Sequence, residues 1–108
     1  MMNDRCTLET AADGAVRLRG ALSFESVPGL YREMERRLPA AGPVRVIDLA
    51  GVTTADSAGL ALLLEWQSRQ RRRGRELIMH GAPDNLLRLA GLCEAIELLK
   101  LSGRDSKP

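Results

Sequence analysis

Aromatic side chains are almost missing from this chain of 108 residues, which has one tryptophan, one tyrosine and one phenylalanine. A surface that stacks nucleic-acid bases needs aromatics interleaved with its cations, so a nucleic-acid partner is not expected. Cysteine is scarce as well. Cys6 and Cys93 stand far apart, spaced neither as a metal knuckle nor as a redox pair, and His80 is the sole histidine. Both cysteines are expected as small buried hydrophobes in a reducing compartment. Long apolar runs are absent too: the longest, Ala58 to Leu64, falls well short of the roughly 20 residues that span a bilayer. Met1-Met2-Asn3-Asp4-Arg5 is not followed by the apolar stretch of an export signal. The expected location is the cytoplasm, with any membrane association indirect, through a partner.

What is present suits one soluble globular domain, at 44% apolar and 28% charged residues. The net charge is only +2, but fourteen arginines stand against two lysines. Arg69, Arg71, Arg72, Arg73 and Arg75 crowd the end of a predicted helix, where cations favour the helix dipole and stay solvated. A contact to a protein or a headgroup is the other reading of that cluster.

Residues 6–10 and 15–22 alternate with period two around Asp13-Gly14 and predict a strand pair. From Ser26 the period changes. Val27, Leu30, Tyr31, Met34 and Leu38 form one apolar stripe of a helix that Pro39 and Gly42-Pro43 should end. Phe24 and Tyr31 are expected to pack in the core. Val44 to Leu49 is the clearest strand, feeding a polar loop from Gly51 to Asp56. A second helix follows from Ser57 to about Arg73, a strand from Glu76 to His80, then a turn from Gly81 to Asp84. The third helix buries Leu86, Leu87, Leu89 and Ala90, and Gly91 should close it. Cys93 to Leu99 fits either a short helix or a last strand. Residues 1–101 therefore read as a single α/β domain, a mixed sheet of about four to five strands flanked by three or four helices, with a polar tail over 102–108.

No catalytic constellation is evident. Nothing pairs His80 with a nucleophile, and Asp48, Asp56 and Asp84 fall where carboxylates usually cap or bind backbone donors. There is no glycine-rich phosphate loop, and no catalytic residue, metal or cofactor is assigned. The chemistry that remains lies at the junction from Gly51 to Gly59. Either Asp56 or Ser57 can cap the second helix. With Asp56 as cap, Ser57 becomes the first helical residue, and a phosphate or a partner's anion there would meet the helix's positive end. Plain cap, partner contact and phosphorylation switch all stay open. Gly59, early in a helix, hints at close approach by some backbone or partner.

The strand Val44-Arg45-Val46-Ile47-Asp48-Leu49, followed by Val52-Thr53-Thr54-Ala55-Asp56-Ser57-Ala58-Gly59-Leu60-Ala61-Leu62-Leu63, resembles the core of the STAS domain family. That family includes anti-sigma factor antagonists and sulfate transporter tails, and the likeness extends over nearly the whole chain. Asp56-x-x-Gly59 followed by Leu60-Ala61-Leu62-Leu63-Leu64 is most similar to the family's MlaB-type branch, small subunits of Gram-negative phospholipid ABC transporters. The resemblance implies a non-enzymatic accessory subunit bound to an MlaF-like ATPase, peripheral to the inner membrane through that partner. Homodimers are a further expectation. Thr53, Thr54, Asp56, Ser57, Ala58, Gly59, Leu60 and Arg69 are the expected contact residues. Ser57 also matches the phosphorylated position of the anti-sigma factor antagonists, the alternative assignment, although Ala58 replaces their usual second serine. A small enzyme using His80 and nearby carboxylates is the third class.

Overall fold

Alternation in the first third of the chain becomes an antiparallel hairpin, β1 (Cys6–Thr10) with β2 (Val16–Leu22), in the computed structural model, which describes residues 6–11, 14–41 and 46–103. Leu8 faces Leu18 on the buried side, while Glu9 faces Arg17 and Thr7 faces Arg19 on the other. Gly14 supplies the positive φ of the turn, at +88°. Asp13, expected beside it, lies outside the described residues.

Helix α1 (Val27–Ala41) buries Leu30 and Met34 and half-buries Val27 and Tyr31, the stripe its spacing predicts. Its backbone runs on through Pro39, which does not end it as expected; Gly42-Pro43 lie outside the described residues. Ser26 fastens the loop before this helix: its buried hydroxyl accepts from the Ser23 N–H at 3.0 Å and donates to the Ala21 carbonyl at 2.7 Å.

The expected polar loop after the clearest strand is itself strand. β3 runs from Val46 to Ala55, parallel to β2 along its length. Two irregularities each put an extra residue into β3: Arg17 to Arg19 spans Asp48 to Gly51, and Gly20 to Ala21 spans Val52 to Thr54. Each bulge resets the alternation, so Val52 and Ala55 follow Ile47 and Leu49 into the core although they come at steps of three. Val44 and Arg45, the expected strand start, lie outside the described residues.

Helix α2 (Ser57–Arg72) then crosses to β4 (Ile78–Ala82), which takes in Gly81 and Ala82 from the expected turn. Helix α3 (Asp84–Leu92) continues past Gly91 rather than closing there. The ambiguous end segment holds both structures, a one-turn helix α4 (Ile96–Leu99) and an edge strand β5 (Leu101–Gly103). Ser102 and Gly103, assigned to the tail, thus belong to the sheet. Lys100 makes the turn between them in the left-handed region, at φ +54°.

The result is a mixed five-stranded sheet in the order β1-β2-β3-β4-β5, flanked by helices. Strands β2 to β5 are parallel and laid down in sequence, and successive right-handed crossovers then bring every helix to the same face. The core lies between that face and the helices, and includes Leu18, Ile47, Leu49, Leu63, Trp66 and Met79. The opposite face carries Thr7, Glu9, Arg17, Arg19 and His80. This arrangement brings the C-terminal ends of β2, β3 and β4 to one edge of the molecule.

Candidate functional site

Asp56 directly follows β3 and caps α2, as one of the two expected cap assignments had it. Its Oδ1 accepts from the backbone N–H of Ala58 at 2.9 Å and of Gly59 at 3.1 Å. Its Oδ2 reaches across to the loop after β2 and accepts from the Phe24 N–H at 2.9 Å. One carboxylate therefore closes a helix start and fixes a neighbouring loop. Burial alone would raise its pKa, but the bonds from Phe24, Gly59 and Ala58 outweigh that and hold it below the ordinary carboxylate value.

Ser57 is consequently the first helical residue, and it is exposed. Thr53 and Thr54 are exposed just before it, Ala58 is half-buried, and Ala61 is exposed one turn further on. Asn85, at the start of α3, donates from Nδ2 to the Thr54 hydroxyl at 3.0 Å and to the Ala55 carbonyl at 2.7 Å. The ends of β2, β3 and β4 are thereby cross-tied around the start of α2.

Gly59 and Leu60, two expected contact residues, are buried beneath this edge. The close approach that Gly59 permits comes from the chain itself: a Cβ there would lie 2.4 Å from the Leu22 carbonyl oxygen. Arg69 lies twelve residues beyond Ser57, about 18 Å along the helix at 1.5 Å per residue. Its Nε bonds Glu65 at 2.8 Å, and its two terminal nitrogens bond Glu35 and the Tyr31 hydroxyl. Its guanidinium also lies 5.1 Å from the Tyr31 ring centre. Hydrogen bonding to Glu65 raises its pKa further, so it carries its charge at every relevant pH. Arg69 is a strut between α1 and α2. Arg71 is likewise engaged, donating to the Leu98 carbonyl at 2.6 Å. An open depression of about 510 Å³ beside it is lined by Leu64, Gln67, Ser68, Arg71, Arg72 and Leu98.

Phe24 is the residue whose expected place is overturned most clearly. Rather than packing in the core, it is 73% exposed. Positions 24, 27, 31 and 34 would share one face if the helix reached back to position 24. The helix begins only at Val27, so that face does not extend to position 24. Asn85 gave no comparable signal, because its partners come from a strand thirty residues away.

The residues considered for chemistry are not assembled. His80 faces the uncovered side of the sheet beside Asp48, its register partner, while Ser57 opens α2 at the strand-end edge. Asp48 lies within β3 rather than at its end, paired with Arg17 at 3.3 Å and accepting from the Ala50 N–H at 2.9 Å. Cys93 is exposed, contrary to expectation. Cys6 is half-buried, and burial pushes its thiol up to about 11 against a backbone hydrogen bond at Arg19, which keeps it protonated near neutrality. Among the described residues no group of three or more potential ligands could hold a metal ion. No helix among them is long and apolar enough to cross a membrane.

A family profile described as "Mlab, STAS domain" matches residues 7–100, from β1 through the end of α4. The chain belongs to the STAS domain family. A search of curated proteins gave no significant match. STAS domains are in general non-catalytic, and serve as regulatory or accessory modules for protein–protein interaction. In this STAS domain the exposed polar residues at the end of β3 and the start of α2 stand on three cross-tied strand ends.

Proposed function

We propose that this STAS domain is a non-enzymatic accessory subunit. It binds the cytoplasmic, MlaF-like ATPase of a phospholipid ABC transporter that maintains outer-membrane lipid asymmetry, and supports the transporter's assembly or activity. The observation that carries the reading is the match of residues 7–100 to a family profile described by the name Mlab. Thr53, Thr54, Asp56, Ser57 and Ala58 form the docking edge, with Gly59 and Leu60 supporting it from below and Arg69 holding α1 against α2. The subunit is cytoplasmic and reaches the inner membrane only through the ATPase.

Affinity purification of the tagged chain from native membranes tests this. An ABC ATPase with its permease is expected, and recovery of only a sigma-regulating kinase would refute the reading. Ser57→Arg places a long cation where the hydroxyl stands. It should weaken ATPase binding by at least about tenfold without altering the far-UV spectrum or the melting temperature. Unchanged affinity would remove Ser57 from the interface.

The exposed position of Ser57, directly after the Asp56 cap, favours one second reading: an anti-sigma factor antagonist switched by phosphorylation. The N–H groups of Ala58 and Gly59 are already taken by Asp56, so a phosphate on Ser57 would meet a carboxylate instead of free donors. It would act by repulsion and release a partner. Mass spectrometry of the chain from cells grown under stress and in stationary phase decides, since a switch requires phosphorylated Ser57 in one state.

A further inference from the structure

Phe24 is the only phenylalanine of the chain, and folding leaves it on the surface at 73% exposure. It does not hang on a loose loop. Its N–H is held by Asp56, and on either side Ser23 and Ser26 close the loop through the Ser26 hydroxyl, which also reaches the Ala21 carbonyl. A large apolar side chain on a fixed backbone loses little freedom on binding, the condition under which an aromatic becomes the dominant contact of an interface. The same Asp56 places it beside Ser57, on the edge already described.

The charge of that edge is opposite to that of the chain as a whole. Fourteen of its residues are arginine, yet the segments 23–27, 53–59 and 82–87 contain no arginine or lysine. They contain Glu25, Asp56 and Asp84, all three exposed. We propose that Phe24 is the anchor of this docking edge, and that it seats in an apolar socket with a basic rim on a protein partner. This rests on the reading of the edge as a protein-docking surface, but not on which protein docks.

Two measurements test it. The first is titration of the purified full chain against the purified phospholipid-transporter ATPase. Phe24→Ala should lower affinity by about 30-fold, and Phe24→Trp should keep it within about threefold. Leu92→Ala removes an even more exposed apolar residue at the far end of α3 and should change nothing. Affinity should also fall severalfold between about 50 and 300 mM salt, because the rim attraction is screened. Phe24→Ala within twofold of the parent, with an unchanged melting temperature, overturns the proposal. If the parent does not bind the ATPase, the transporter reading has failed, and the anchor is judged by the second measurement. A photoreactive benzoylphenylalanine is placed at position 24, or at position 57, and irradiated in native cells. An adduct from position 24 to a protein whose cross-linked peptide lies on a basic surface supports the anchor. Adducts from position 57 alone, or from neither, overturn it.

Discussion

Gly59 illustrates how a residue chosen for its lack of a side chain is placed by the backbone next to it. With Leu22 oxygen 2.4 Å from where a Cβ would stand, and Leu22 Cγ at 2.7 Å, neither a helix nor a strand end can yield cheaply. Helix propensity alone says Gly59→Ala should stabilise by up to about 1 kcal/mol. Overpacking against backbone costs about 1–3 kcal/mol and exceeds that gain, leaving a net loss of up to about 2 kcal/mol, so calorimetry should show the melting temperature falling by up to roughly 15 °C. A rise would show that α2 can move away from β2. Asp56 acts through charge as well as shape. Its pKa is lowered in the folded chain, so its ionised form adds stability that is fully present above the unfolded value near 3.8 and lost as pH falls through the lower folded value. Asp56→Ala should cost about 0.5–2 kcal/mol at pH 7, and Asp56→Asn less, since asparagine also caps. In urea titrations the gap between parent and Asp56→Ala should narrow below pH 3.8. A gap that stays constant to pH 2.5 would mean that the carboxylate contributes only as a neutral acceptor.

Between elements, the decisive contacts are polar and long-range, and these are what sequence patterns convey least. Gln67 is 1% exposed in α2; its Nε2 donates to the Leu77 and Leu99 carbonyls at 2.9 and 3.1 Å, and its Oε1 accepts from the Leu77 N–H at 2.9 Å. One amide thus joins α2 to the start of β4 and the end of α4. Gln67→Leu orphans three buried backbone groups, each costing about 1–3 kcal/mol if no water reaches it. A loss of at least about 3 kcal/mol is expected from urea midpoints at constant m-value, and less than about 1 kcal/mol would show that water takes over these bonds. In the sequence, Gln67 sits in the helix half that reads as polar and exposed, so its burial could not be seen there. β2 and α1 were legible because their periods, two and 3.6, run unbroken. β3 was legible only to Leu49, since its two bulges break the alternation that marks a strand. That Asp56 or Ser57 caps α2 was readable from helix-start chemistry, but the choice of Asp56, which leaves Ser57 exposed, was not. Nor was the place of Phe24, because its exposure depends on where α1 begins.

At the scale of the whole molecule, the helices among the described residues lie on one side of the parallel strands only. Parallel sheets are usually covered on both faces, so the uncovered face has to be kept soluble by its own side chains. A row of Glu9, Arg17, Asp48 and His80 runs across β1 to β4 in register, with Arg17–Asp48 at 3.3 Å and the diagonal Arg19–Glu9 pair at 3.7 Å. Such partly exposed pairs add little stability. Their larger effect is to interrupt apolar surface. Val46 and Ile78 face each other one row away, and Ile78 is 45% exposed. Arg17→Leu combined with Arg19→Leu would extend exposed apolar surface along β2 diagonally from that pair, while Asp48 and His80 stay in place on β3 and β4. Patches of that kind mark interfaces or aggregation sites. The double variant should therefore elute at a larger mass than the parent in light-scattering chromatography, increasingly so at higher concentration, with its far-UV spectrum unchanged. The same elution as the parent over the whole concentration range would show that the face stays apart from its own kind without these arginines. The docking edge lies at the strand ends and not on this face, so ATPase binding per folded monomer should survive the change.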